Sequence, residues 1–187
     1  MTKSPEVEEG IVVSSHRNRV LILDGAHQPR VCVIRHGKDR AVAGDRVCWQ
    51  RTSSTEGRVT KILPRHNLVY RPTEHGSGKP IAANVDRLVL LIAPVPVYLP
   101  RLIDCALVIA AYLDIPLCLV FNKIDLLDEV ALSQVNTDIA LYDAIGIPIF
   151  WVSAKTGQGM DGLVRFLQFQ SSILVGQSGV GKSSRGL

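Results

Sequence analysis

The chain has 187 residues, of which 47% are apolar and 20% charged, a balance that fits a soluble globular protein with room for one large or two small domains. Its formal charge of +4 is unevenly spread: residues 1–82 hold 14 Lys and Arg against 8 Asp and Glu, whereas residues 83–187 hold 7 against 9. A membrane span is excluded, because Pro94 and Pro96 interrupt one apolar stretch and Asp114 and Pro116 the other, short of the ~20 residues required. The polar, acidic start MTKSPEVEEG lacks the apolar region of a secretory signal. Cys32, Cys48, Cys105 and Cys118 show no C-x-x-C spacing and read as reduced core thiols of a cytoplasmic protein.

Residues 1–9 are expected to be a flexible N-terminus. Residues 10–70 read as β. GIVVSS, RVLILD, RVCVIR, DRVCWQ and GRVTKIL are short Val- and Ile-rich runs separated by turn-like stretches. Five short strands suit a small closed barrel of the OB type, with an SH3-like barrel as the alternative. Residues 71–82 (RPTEHGSGKPIA) carry Pro, Gly and Ser without periodicity and read as a linker.

From residue 83 the period changes. Apolar runs at 86–93, 117–121, 148–152 and 172–175 read as buried strands, and 99–113, 127–145 and 160–169 as helices. Strands alternating with helices imply βαβ units and a parallel sheet.

Three motifs each follow one of these strands. The last, GQSGVGKS, comprises Gly176, Gln177, Ser178, Gly179, Val180, Gly181, Lys182 and Ser183, with Ser184 beside it, and fits the phosphate-loop pattern G-x-x-x-x-G-K-[ST]. Its glycines let backbone N–H groups face phosphate oxygens. Lys182 would reach the β- and γ-phosphates, and the Ser183 hydroxyl would hold Mg2+. The first motif in the chain, Asn122-Lys123-Ile124-Asp125, has the N-K-x-D form of guanine-reading loops. Guanine offers N1–H and the 2-amino group on one edge, and the Asp125 carboxylate is suited to accept both; adenine would leave it unpaired. Between the two lies Ser153-Ala154-Lys155, where a backbone N–H would face the guanine oxygen and the Lys155 stem would lie on the base. All three sit where ligands bind in open α/β sheets.

The order differs from that of an ordinary GTPase, in which the phosphate loop comes first and N-K-x-D and S-A-K follow. Here it comes last, which reads as a circular permutation of the domain. A β-rich unit ahead of a permuted GTPase resembles the RsgA (YjeQ) family. The resemblance rests on Ala82-Ala83-Asn84-Val85-Asp86, on Asn122-Lys123-Ile124-Asp125, on Ser153-Ala154-Lys155-Thr156-Gly157 and on residues 175–184. It implies a mixed fold, an OB-like barrel followed over 83–187 by a partial, permuted α/β P-loop GTPase domain. It also implies a cytoplasmic GTPase using GTP/GDP and Mg2+, acting late in small (30S) ribosomal subunit maturation, expected as a monomer with no membrane partner. The barrel would touch ribosomal RNA, with Arg17, Arg19, Arg35, Lys38, Arg40, Arg46 and Arg51 as candidate phosphate contacts. Trp49 reads as a core residue, with base stacking as the other reading.

The family pattern continues past the phosphate loop through a helix, two switch regions and a zinc-binding domain. Only six residues follow Gly181. The chain therefore reads as truncated just after the phosphate loop, with Lys182 and Ser183 in place but hydrolysis impaired, the family zinc site absent, and the strand at 172–175 left as a sheet edge. The alternative is an RNA- or ribosome-binding module with vestigial guanine-nucleotide binding and no turnover.

Overall fold

The computed structural model describes residues 6–34, 40–71 and 78–183. The chain divides into two compact units, Met1–Val85 and Asp86–Leu187.

In the first unit, β1 (Val7–His16), β2 (Arg19–Asp24), β3 (Pro29–Ile34), β4 (Arg46–Arg51) and β5 (Glu56–Ile62) close into a barrel of order β1-β2-β3-β5-β4. β1 pairs with both β2 and β4, and β3 runs parallel to β5. Alternation decides which side chains point inward. Val12, Val20, Ile22, Cys32, Val47, Trp49 and Val59 form the barrel core. Burial of each large apolar side chain is worth roughly 1.5–3 kcal/mol.

Trp49 is fully buried, and its indole N–H donates to the Glu9 carbonyl at 3.3 Å. It is a core residue, which removes the base-stacking reading. Its ring lies against Gly57, where an added Cβ would stand 2.5 Å from Trp49 Cε3 and 2.9 Å from Cys32 Sγ. Gly57→Ala is therefore expected to destabilise the barrel by about 1–3 kcal/mol through overpacking; an unchanged urea midpoint would contradict this packing.

Asp45 closes one end of the barrel. Fully buried, it accepts from Arg65 Nε at 2.6 Å, from Arg65 Nη2 at 2.8 Å and from the Val42 N–H at 2.8 Å. Arg65 also donates to the Arg40 carbonyl at 2.9 Å.

Several bounds differ from those expected. Val7–Glu9 lie in β1, not in a flexible terminus, because they pair with Gln50, Trp49 and Cys48. Leu68–Arg71 (β6) is outside the barrel, and Lys79–Ala83 (β7), of which 79–82 were read as linker, is a strand paired with it. This ribbon is fastened at its root. The Ala83 N–H donates to the Ala43 carbonyl at 2.9 Å, and the Asn84 side chain donates to the Gly44 carbonyl at 2.9 Å. The Asn67 amide bonds both backbone groups of Val85, at 2.7 and 2.8 Å.

The second unit runs β8 (Arg87–Ile92), α1 (Pro100–Leu113), β9 (Leu117–Phe121), α2 (Glu129–Ala144), β10 (Ile149–Trp151), α3 (Met160–Leu167) and β11 (Ser172–Gly176). All pairings are parallel, in the order β10-β9-β8-β11. β8 and β9 are nearly continuous apolar runs because both of their faces are covered. Pro100 opens α1, where its missing N–H costs no hydrogen bond, and Asp114 ends the helix with φ 52°. Asp128 caps α2 by accepting from the Ala131 N–H at 2.8 Å.

Two phenols join α2 to the α1 side of the sheet. Tyr142 donates to Asp104 at 2.7 Å, and Tyr98 donates to Asp138 at 3.1 Å. Burial, then the carboxylate partner, pushes both phenols up, Tyr142 to about 12, so both remain donors at neutral pH. The four thiols are free; Cys32 and Cys118 are buried and pushed up to about 11 by desolvation, whereas Cys105 is exposed on α1, not in the core. Among the described residues no helix is long and apolar enough to cross a membrane.

Candidate nucleotide-binding site

The three motifs follow β9, β10 and β11, at the same end of one parallel sheet. Asn122 joins them. It is buried; its Nδ2 donates to the Val180 carbonyl at 2.8 Å, and its Oδ1 accepts from the Ala154 N–H at 3.0 Å. One amide thus holds N-K-x-D, S-A-K and the phosphate loop in a fixed relation.

Lys123 takes the left-handed conformation, φ 64°, and its ammonium donates to the Val95 carbonyl at 2.7 Å. A non-glycine residue in that region is strained and needs such an anchor. Ile124 opens a single 3-10 turn, Ile124–Leu126, which carries Asp125. The Asp125 carboxylate accepts from Ser153 Oγ at 2.6 Å, and its other oxygen lies 3.9 Å from Lys155 Nζ. Ser153 is buried, and its hydroxyl oxygen also accepts from the Thr156 N–H at 3.2 Å. A cavity of about 230 Å3 opens here, lined by Asn122, Lys123, Asp125, Leu126, Ala154 and Lys155. Its Asp125 carboxylate retains lone pairs for further donors.

The phosphate loop begins at Gly176, with φ 154°, where a Cβ would stand 2.3 Å from the Leu91 carbonyl oxygen. Only glycine fits so close to β8. Gln177, Ser178 and Gly179 continue the curve, and Val180 plugs the sheet core beside Val89, Leu91 and Val152. After Gly181 (φ 106°), Lys182 turns back, and its ammonium donates to the Gly176 and Gln177 carbonyls at 2.9 and 2.6 Å. A fixed positive charge therefore lies within the loop. Ser183 is described, and Ser184 lies outside the described residues.

Two supports carry no motif. The backbone before α1 contributes the Val95 carbonyl to Lys123. Beneath the loops, Phe121 packs on Trp151 with ring centroids 5.0 Å apart and takes the edge of Tyr98 at 5.6 Å. The available sequence signal was an aromatic residue ending each of two strands next to a motif.

The barrel cations divide. Arg46 and Arg51 already face carboxylates, Glu9 at 2.9 Å and Glu8 at 3.5 Å. Arg17 lies in the turn between β1 and β2 with φ 55°, and Arg19 opens β2; neither has an ion pair among the described residues. Arg40 is exposed and lends its carbonyl to Arg65. Arg35 and Lys38 lie outside the described residues.

The family model described as RsgA GTPase matches residues 62–185. The small ribosomal subunit biogenesis GTPase RsgA of Actinobacillus pleuropneumoniae serotype 5b (strain L20) is 37% identical over 96% of this chain and 53% of its own length. That of Pseudomonas fluorescens (strain Pf0-1) is 39% identical over 95% of this chain and 53% of its own. The chain thus spans about half the length of these curated relatives. Among solved structures, YjeQ from Thermotoga maritima superposes with a TM-score of 0.81 at 33% identity, over 96% of this chain and 63% of that one. YloQ, a circularly permuted GTPase, gives 0.75 at 28% identity, again over 96% and 63%. With an OB-type barrel order, a permuted motif order and one amide binding all three motifs together, the chain belongs to the RsgA GTPase family.

Proposed function

We propose that this chain binds GTP or GDP with Mg2+ in the three-loop site and serves as a GTPase in late maturation of the small ribosomal subunit, in the cytoplasm and as a monomer. The observation that carries the nucleotide reading is the Asn122 amide, which bonds both the Val180 carbonyl and the Ala154 N–H. That bond pair holds the N-K-x-D, S-A-K and phosphate-loop motifs together, which supports reading them as one nucleotide site. In this reading Asp125 accepts from guanine N1–H and the 2-amino group, with Ser153 orienting its carboxylate. Ala154 and Lys155 border the base. Gly176, Gln177, Ser178, Gly179, Val180 and Gly181 supply the curved backbone, with Ser184 beyond it. Lys182 gives its charge to the phosphates, and the Ser183 hydroxyl is a ligand for Mg2+, which neutralises charge developing on the phosphates in phosphoryl transfer. The net charge of +6 over residues 1–82 supports a barrel that meets ribosomal RNA.

Labelled GDP and ADP, each titrated against the full chain, test the nucleotide reading. GDP is expected to bind about 100-fold or more tightly than ADP, because adenine leaves the Asp125 carboxylate unpaired. Equal affinities would overturn it. Small subunits titrated separately test the ribosomal reading. Single-turnover hydrolysis with subunits present then separates a GTPase from a ribosome-binding module that holds nucleotide without turning it over.

A further inference from the structure

The backbone between β8 and α1 touches two of the three motifs without belonging to any of them. We propose that residues 94–97 are a fourth part of the nucleotide site, a brace that Lys123 latches in place and that sets how slowly GDP leaves; this rests on the reading that the three loops bind guanine nucleotide. The Lys123 ammonium donates to the Val95 carbonyl at 2.7 Å, and Lys123 itself opens the turn that carries Asp125. Pro96 faces the phosphate loop: a Cβ built on Gly179, where φ is 84°, would lie 3.6 Å from Pro96 Cδ. The segment therefore joins the base-reading turn to the phosphate loop on a path separate from Asn122.

The segment is held firmly at its ends and weakly between them. Ala93, next after β8, is fully buried. Tyr98 is buried, donates to Asp138 at 3.1 Å and sets its ring edge on Phe121. Between them Val95 is 57% exposed and Val97 76%, so their side chains add little packing. A charged donor makes one of the stronger hydrogen bonds, and the Val95 carbonyl receives one in the middle of the segment. Lys123 holds a left-handed backbone, φ 64°, where it makes that bond. On the other side, glycines at 176, 179 and 181 leave the phosphate loop free to change its curve, whereas the Pro96 ring is stiff. Cutting the latch frees the segment, takes the ring from Gly179 and lets the loop relax its hold on phosphate. Base recognition by Asp125, which Ser153 orients, stays as it is.

The test is stopped-flow release of GDP carrying a fluorescent ribose label from the full chain, chased with unlabelled GDP. K123M keeps an unbranched side chain and removes the ammonium. It is expected to release GDP about tenfold faster, with the preference for GDP over ADP within about twofold of the parent. Hydrogen exchange in the nucleotide-free chain is the second readout. K123M should speed exchange at residues 95–98 and 177–181 together and leave β8 and β9 as protected as in the parent. Parental release by K123M, or faster exchange at 95–98 alone, overturns the brace. A fall in the GDP preference as large as the gain in release rate overturns it as well, since Lys123 would then act on the base. No GDP binding by the unaltered chain overturns the nucleotide reading itself, and this role with it.

Discussion

Asp125→Asn is expected to weaken GDP binding by about 100-fold or more while leaving the fold intact. The substitution keeps the shape of the side chain and removes its charge. The amide that replaces the carboxylate retains one oxygen, which can still accept from Ser153 Oγ, now 2.6 Å from the carboxylate. It loses the second acceptor and gains an N–H donor that would face the guanine 2-amino group. A hydrogen bond to a charged group is worth about 1.5–3 kcal/mol, and a donor facing a donor adds desolvation cost. A net loss of ~3 kcal/mol is about 100-fold in affinity. Xanthosine diphosphate has a carbonyl where guanine has that amino group, so it should gain affinity in the variant. Calorimetric titration of both nucleotides checks the swap. Unchanged GDP affinity would remove Asp125 from the base site.

Asp45→Ala is expected to cost the barrel unit about 3–5 kcal/mol, as breaking a buried ion pair does. The substitution takes two acceptors from Arg65 and one from the Val42 N–H, in a side chain with no solvent-exposed surface. The double variant D45A/R65M should be less unstable than D45A, because it leaves no guanidinium beside the lost carboxylate. Tryptophan fluorescence reads this cleanly: Trp49 lies in the barrel, and a W151F background removes the other of the two tryptophans. A D45A midpoint within about 0.5 kcal/mol of the parent would show that the pair does not hold the barrel end.

The barrel strands were legible because Val20, Ile22, Val47, Trp49 and Val59 alternate with polar neighbours. The start of β1 was not. Glu8 and Glu9 sit on a strand whose outward charges meet Arg51 and Arg46, and that pairing depends on register with β4. β7 was hidden by Gly78 and Pro80. It pairs with Leu68–Arg71, and its last residue, Ala83, is held by the Ala43 carbonyl, a partner no local window contains. The parallel sheet and its three motifs were readable because phosphate and guanine chemistry dictate residue types at fixed spacing. The groups that lock the site together, the carbonyls of Val95 and Val180, belong to the backbone and leave no mark in side-chain identity.

The Asn122–Val180 bond has a consequence for synthesis. Its two partners are 58 residues apart, with the base-reading loop emerging first. At about 5–20 residues per second, roughly 3–12 s pass between them. Through that interval the Asn122 Nδ2 has only water to bond, and the N-K-I-D turn lacks one of its braces. An ordinary motif order would make the phosphate loop first and let it wait instead. In this chain the N-K-I-D turn is therefore laid down before the phosphate loop that braces it.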